Sequence, residues 1–191
     1  MATLPLLAAL QDDESEYVRR SVANHLNDIA KDHPGLVADW IEAHLPGAPP
    51  QRAALLRHAC RTLVKAGDLR VLQAFGLGEP LRGRVALALS TRHVALGESV
   101  GIELTLRSTA RRPQKLAIDY AVHHVKANGS TSAKVFKGWL LTLGAGEQRA
   151  LLRQHAIKSI TTRKYHAGKH RIELLVNGQA LAEADFNLLM P

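Results

Sequence analysis

Residues 76–90 read GLGEPLRGRVALALS, and the period of the apolar residues changes inside this stretch. Before Pro80, apolar residues recur every three or four positions, which is the repeat of a helix face. After it, Val85, Leu87 and Leu89 alternate with other residues, the repeat of a half-buried strand. GLGEP is therefore read as a linker. It joins a helical part, residues 1–78, to a β part, residues 82–191.

Working upstream, Val18, Val22, Leu26 and Ile29 form one stripe on a helix. Asp13 and Glu16 are placed as N-cap and N3 of that helix, a capping-box spacing. His33-Pro34 ends it, because a residue before proline avoids the helical region. GLVADWIEAHL follows as a helix with Leu36, Val37, Trp40, Ile41 and Leu45 on its apolar side, and PGAPP breaks it. RAALLRHACRTLVKAGD is expected as one further helix closed by Gly67, followed by the short LRVLQAF. LPLLAALQ begins the series, with Pro5 suited to an early helical position.

The helical part repeats with an offset of 37 residues, which lays Val18, Arg20, Val22 and Leu26 over Leu55, Arg57, Ala59 and Leu63. A helix-pair repeat of this length describes a short HEAT-like α-solenoid. Inner helices of a solenoid turn polar faces to one concave surface. Arg20, Asn24, Asn27, Asp28, Arg57, Arg61 and Lys65 would then line one groove. Arg and Lys suit phosphates, and Asn suits phosphates, sugars or base edges. The same residues also fit an ordinary solvated face with contacts along the helix. Two asparagines in mid-helix need a reason, since Asn competes with the helix for backbone hydrogen bonds.

Downstream, RVALALS, SVGIELTLRS, QKLAIDYAVHHV, AKVFKGWLLTL, QRALLRQHAI, KHRIELLVNG and ALAEADFNL are seven strand candidates. Seven short strands in this length describe an immunoglobulin-like antiparallel β-sandwich. Asn128-Gly129 and Asn177-Gly178 are hairpin signals. Tyr165-x-x-Gly168-x-His170 has the look of a tyrosine corner.

The net charge of +8 is uneven. Residues 1–80 carry 8 Lys+Arg and 10 Asp+Glu, whereas residues 81–191 carry 17 and 7. A basic second domain facing something anionic is one reading, and a surface tuned for solubility is the other. Lys158, Arg163, Lys164 and Lys169 with Arg171 gather in IKSITTRKYHAGKHR, and Arg111, Arg112 and Lys115 in another loop. Both groups suit phosphate contacts on a duplex. Cys60 is the single cysteine, so no disulfide framework forms and a reducing compartment is favoured. No run reaches the ~18 apolar residues that cross a bilayer. The opening MATLPLLAALQDDE lacks the basic n-region of a signal peptide. We expect a soluble, cytoplasmic chain without membrane partners.

Little in the sequence suggests catalysis. His123 and His124 are adjacent on a strand and point to opposite faces, and His166 and His170 lack a carboxylate or thiol to complete a metal set. No metal and no cofactor is expected. His58 and Cys60 stand two residues apart on one helix and face apart. GLG and GAG lack the context of a phosphate loop.

EYVRRSVANHLNDIAKDHPGLV, LLRHACRTLVKAGD and TTRKYHAGKHRIELLVNG resemble the HEAT-repeat alkylbase DNA glycosylases, the AlkC/AlkD superfamily. The AlkC branch is nearest, because some of its members add a C-terminal immunoglobulin-like domain. The resemblance implies removal of N-alkylated bases from double-stranded DNA held in the concave face. It implies DNA contacts from Arg20, Asn24, Asn27, Arg57, Arg61 and Lys65, joined by Lys158, Arg163, Lys164 and Lys169 of the sandwich. Family members carry their catalytic carboxylates mostly in helices before this region, near an EGxRPRLPW-type string that is missing here. Asp28 is the one inward-facing carboxylate left as a catalytic candidate. The expectation is a DNA-binding chain lacking the catalytic half. An active glycosylase using Asp28 is one alternative, and a protein-interaction scaffold is another. The open end of the solenoid would also suit a homodimer.

Overall fold

The computed structural model describes residues 3–161 and 163–190. The chain divides into two compact units, Met1–Gly78 and Glu79–Pro191. The first holds six helices among the described residues: α1 (Leu4–Leu10), α2 (Glu16–Asp32), α3 (Pro34–His44), α4 (Pro50–Ala59), α5 (Arg61–Ala66) and α6 (Leu69–Ala74). Val22, Leu26 and Ile29 of α2 pack with Val37 and Ile41 of α3 and with Leu55, Leu56, Ala59 and Leu63 of α4 and α5 in one core. No helix among the described residues is long and apolar enough to cross a membrane.

The start of α2 differs from expectation. Ser15, not Asp13, is the N-cap residue, and it makes no side-chain cap bond. Asp13 instead accepts the Ser15 N–H at 2.8 Å, the local turn that a short carboxylate favours. Arg19 reaches back to the carbonyls of Asp13 and Glu14 at 2.6 and 2.8 Å.

The expected single helix over residues 52–68 is also divided. Cys60 has φ −98° and ψ 13°, in the bridge region between helix and strand. The break turns the Thr62 N–H toward α2, where Asn27 Oδ1 accepts it at 3.2 Å and the Thr62 hydroxyl at 2.9 Å. Asn27 is only 2% exposed. Its amide does for α5 what an N-cap side chain does for other helices, but it comes from a neighbouring helix. Gly67 ends α5 with φ +75°, and the Asp68 N–H bonds back to the Leu63 carbonyl at 3.0 Å. Asp68 then caps α6 through the Val71 N–H at 3.0 Å.

The second unit pairs β1 (Gly83–Leu89), β3 (Ser99–Ser108) and β6 (Gln148–Ala156) in the order β1-β3-β6. β2 (His93–Ala95), β8 (Gln179–Leu189), β7 (Gly168–Val176), β4 (Gln114–Val125) and β5 (Thr131–Leu143) form a second sheet in the order β2-β8-β7-β4-β5. Among the described residues eight strands thus stand where seven were expected. β2 has three residues, too few to show an alternating pattern, and it pairs parallel to the end of β8. The other pairings are antiparallel.

Asn177 and Gly178 form the β7–β8 turn with φ +48° and +78°, the conformation an Asn-Gly pair tolerates. Asn177 is also buried. Its side chain accepts the Ala117 N–H at 2.8 Å and donates to the Glu79 carbonyl at 2.7 Å. Gln114 donates to Pro80 O at 3.1 Å and accepts the Arg82 N–H at 3.0 Å, so residues 79–82 are pinned to the sandwich. β5 carries a bulge: Ile118 pairs with Trp139 and Asp119 with Lys137, which leaves Gly138 as the extra residue. A Cβ at Gly138 would lie 2.4 Å from the Ile118 carbonyl oxygen, so only glycine fits without a shift. Arg153 of β6 donates to the Lys137 and Gly138 carbonyls, both at 2.6 Å, and links the edges of the two sheets.

Replacing Asn27 by Leu leaves the Thr62 N–H and hydroxyl without their acceptor. The expected cost is about 1–3 kcal/mol in urea unfolding. Asn24→Ala, at an exposed site on the same helix, should cost well under half as much.

Candidate nucleic-acid interface

Arg20 and Asn24 lie exposed on α2. Asn24 Oδ1 is 2.9 Å from His58 Nε2 and accepts from Arg61 Nη1 at 3.2 Å. Arg61 Nη1 is also 2.8 Å from His58 Nε2 and 3.3 Å from the His58 carbonyl. A cleft of about 470 Å³ opens beside this trio between α2 and α4. Ala23, Ala54 and Leu55 line it with Glu16, Arg19, Arg20 and His58. The small side chains at 23 and 54 keep it open. The face can therefore offer cations and amides over an apolar floor, a combination suited to a sugar–phosphate chain.

Arg20, Asn24 and Arg61 come together as expected of one face. Lys65 is exposed on the last turn of α5. Asn27 does not share this surface, because it is buried against Thr62. Arg57 is exposed, but its guanidinium stacks 5.3 Å from the Phe75 ring. His58 was missed as a member of the face. Its signal was its place three residues before Arg61, which puts both on one side of the α4–α5 segment. Asp28 is exposed and paired with Lys31 at 2.7 Å. The hydrogen bond and charge of that ammonium hold its carboxyl below the usual range.

In the sandwich, Lys158 and Lys164 are exposed on the loop between β6 and β7, and Arg163 is half-buried there. Lys169 is not a loop residue. It stands on β7 and pairs with Asp185 at 2.7 Å. Arg171 pairs with Asp185 and Glu183, and His123 with Glu173 at 3.1 Å. The outer face of the five-stranded sheet thus neutralises itself around these residues. Arg82, Arg111 and Arg112 surround a cleft of about 380 Å³ that also includes Glu79. The β6–β7 loop and the Arg111 loop lie at opposite ends of the sandwich, since Ser99 pairs with Ala156 while Ser108 pairs with Gly83.

Three histidines are buried where β4, β6 and β7 reach the 157–167 loop: His124, His155 and His170. His170 Nε2 is 3.0 Å from the His166 carbonyl, and His155 Nδ1 is 3.1 Å from the Tyr120 hydroxyl. The His124 ring meets His170 and Tyr165 edge-on at 5.7 and 5.5 Å. Loss of hydration, aided by the Arg163 charge, lowers His124 to about 3 and His155 to about 4, and pushes His170 down as well. Among the described residues no group of three or more His, Cys, Asp or Glu is placed to hold a metal ion.

Residues 84–190 match the family model described as "Uncharacterised protein YhaZ, C-terminal Ig-like domain". The chain belongs to the YhaZ family. YhaZ of Bacillus subtilis (strain 168) is 37% identical over 190 residues, which make up 97% of this chain and 51% of that protein. The solved structure of Pseudomonas fluorescens alkylpurine DNA glycosylase AlkC, bound to DNA containing an abasic site analog, superposes with a TM-score of 0.94 at 43% identity. That match covers 98% of this chain and 52% of AlkC. The chain thus spans about half the length of each, and it is of the AlkC/YhaZ type.

The buried histidines predict an acid-sensitive fold. Unfolded, each takes up a proton near pH 6.5; folded, His124 and His155 stay neutral to about 3 and about 4. Their stabilising effect is complete above pH 6.5 and falls steadily as the pH drops from there, to about 4 for His155 and to about 3 for His124. At pH 5 each such histidine should cost about 2 kcal/mol. Thermal melts should show the loss, and His124→Leu should make the pH dependence shallower.

Proposed function

We propose that this chain is a DNA-holding protein of the alkylation-repair glycosylase type, and that it binds duplex DNA without supplying the catalytic carboxylate. The observation that carries this reading is the superposition, over nearly the whole chain, on an alkylpurine DNA glycosylase bound to DNA. In this reading the helices form a short HEAT-like solenoid. Support comes from the 37-residue offset, which matches buried Val22 with buried Ala59 and buried Leu26 with buried Leu63. Arg20, Asn24, Arg61 and Lys65 then meet the sugar–phosphate backbone, with His58 holding the Arg61 guanidinium in place. Lys158, Arg163 and Lys164 add contacts from the sandwich. Asn27 serves the fold, and Lys169 and Arg57 are secondary because each already has a partner. A duplex partner places the chain in the cytoplasm, at the nucleoid.

Asp28 is a poor catalytic group in this setting. It is open to solvent and bound to Lys31. A carboxylate that stabilises a cationic sugar needs a water-poor site, where its charge acts at low dielectric.

Fluorescence anisotropy of a labelled duplex with an abasic-site analogue, titrated at several salt concentrations, tests the reading. A log–log slope of about −0.9 per phosphate contact is expected, several units in total. Arg61→Ala should reduce the slope by about 1. Asp28→Asn should leave binding unchanged, and the chain alone should release no alkylated purine. A wild-type chain that ignores DNA at low salt would sink the proposal.

A further inference from the structure

The two sheets of the sandwich are closed differently at their two sides. On one side Arg153 of β6 reaches the Lys137 and Gly138 carbonyls of β5. On the other side β1 is the last strand of its sheet, and a cleft of about 650 Å³ opens between it and β8. The backbone of β1 faces this cleft with unused groups. At one end of β1 the Thr109 N–H donates to the Arg82 carbonyl at 3.0 Å, and at the other the Ser90 N–H donates to the Gly101 carbonyl at 2.9 Å. The register between these bonds has no shift, and bonded pairs alternate in an antiparallel ladder. Arg84, Ala86 and Ala88 therefore bond to β3. The N–H and C=O groups of Val85, Leu87 and Leu89 point the other way, where no strand lies among the described residues. Across the cleft, β2 pairs with residues 187–189 of β8 and leaves residues 183–186 without a neighbour on that side.

The side chains divide by face. Leu87 and Leu89 turn toward the core but stay half-buried, and with Ala184 and Phe186 they give the cleft an apolar wall. The outer face carries Arg84, directly opposite Arg107 of β3, and both are exposed. Like charges so placed destabilise a strand pair. Gln148 of β6, next across, brings no negative charge. Arg92 is exposed at the other end of the cleft. Among the described residues none of these three arginines has an ion pair. The carboxylates of the cleft are engaged elsewhere, Asp185 by Lys169 and Glu183 by Arg171.

Alternating donors and acceptors are answered by another peptide backbone. A phosphate chain only accepts, so it would leave the carbonyls of Val85, Leu87 and Leu89 unanswered. A second copy of β1 would bring GRVALAL, with an arginine and no carboxylate. We propose that the cleft takes an extended acidic segment of a partner protein, which adds to β1 as a fourth strand of its sheet. Every second residue of the segment is apolar and covers Leu87 and Leu89. Carboxylates at the alternate positions meet Arg84 at one end and Arg92 at the other. A segment of about seven residues, about 23 Å when extended, matches the length of β1.

Amide hydrogen exchange of the whole chain, followed by NMR, reads this directly. Without a partner, the amides of Ala86 and Ala88 should be protected and those of Val85, Leu87 and Leu89 should exchange fast. The probe is an acetylated and amidated peptide of about eight residues in which valine alternates with glutamate. At millimolar concentration it should slow exchange at Val85, Leu87 and Leu89 by about tenfold. The same peptide with lysine in place of glutamate should bind about tenfold more weakly. Arg84→Glu/Arg92→Glu, at two exposed sites, should reverse that preference. Leu87→Pro removes an outward N–H without taking a bond from the β3 ladder, and it should abolish the added protection at Leu89. Unchanged exchange at the three amides with the glutamate peptide overturns the proposal, and so does equal binding of the two peptides. Protection that rises with protein concentration alone would assign the edge to a second copy. Protection by a duplex of about 20 bp would assign it to DNA. Either result overturns the peptide site.

Discussion

The side chain of Asn27 decides how the helical unit is arranged. Its one oxygen takes both hydrogen bonds that Thr62 presents where the α4–α5 segment breaks. Without that acceptor, the break at Cys60 would leave a half-buried N–H in an apolar setting, which costs more than a hydrogen bond returns. With it, α5 is registered against α2, and Arg61 arrives beside Asn24 and His58. One buried amide therefore connects the fold to the cationic face. It also answers why two asparagines stand in the middle of one helix: Asn27 is an internal cap, and Asn24 is a surface ligand for an arginine and a histidine.

The sandwich is organised by similar means. Asn177 sits in a turn that demands positive φ, yet its amide is directed inward to Ala117 and to the Glu79 carbonyl. Gln114 holds the following residues from the start of β4. The entry into the second unit is thus fixed by two buried amides rather than by apolar packing alone.

Periodicity made most of the fold legible. The three- and four-residue spacing of Val22, Leu26 and Ile29 and the alternation through Val100, Ile102, Leu104 and Leu106 are direct projections of burial onto the chain. β2 was not legible, because three residues carry no period. The break at Cys60 was hidden since neither Pro nor Gly marks it, and its cause lies 33 residues upstream in Asn27. For the candidate interface, residue type and helix face placed Arg20, Asn24 and Arg61 together, but type alone could not foresee prior partners. Arg57 is taken by an aromatic ring, Lys169 by Asp185 and Asn27 by a threonine. Such tertiary partners come from distant parts of the chain, and a single sequence does not display them.

Arg153 has a further consequence. Among the described residues β5 is the longest strand, and it lies at an edge of its sheet, where carbonyl and N–H groups are available to any extended chain that approaches. The Arg153 guanidinium occupies the Lys137 and Gly138 carbonyls at the bulge, in the middle of that edge. Lys134 and Lys137 stand exposed along the same strand, and a second copy would bring matching charges against them. The arginine that ties the two sheets together also interrupts the template on which molecules of this protein would stack into aggregates.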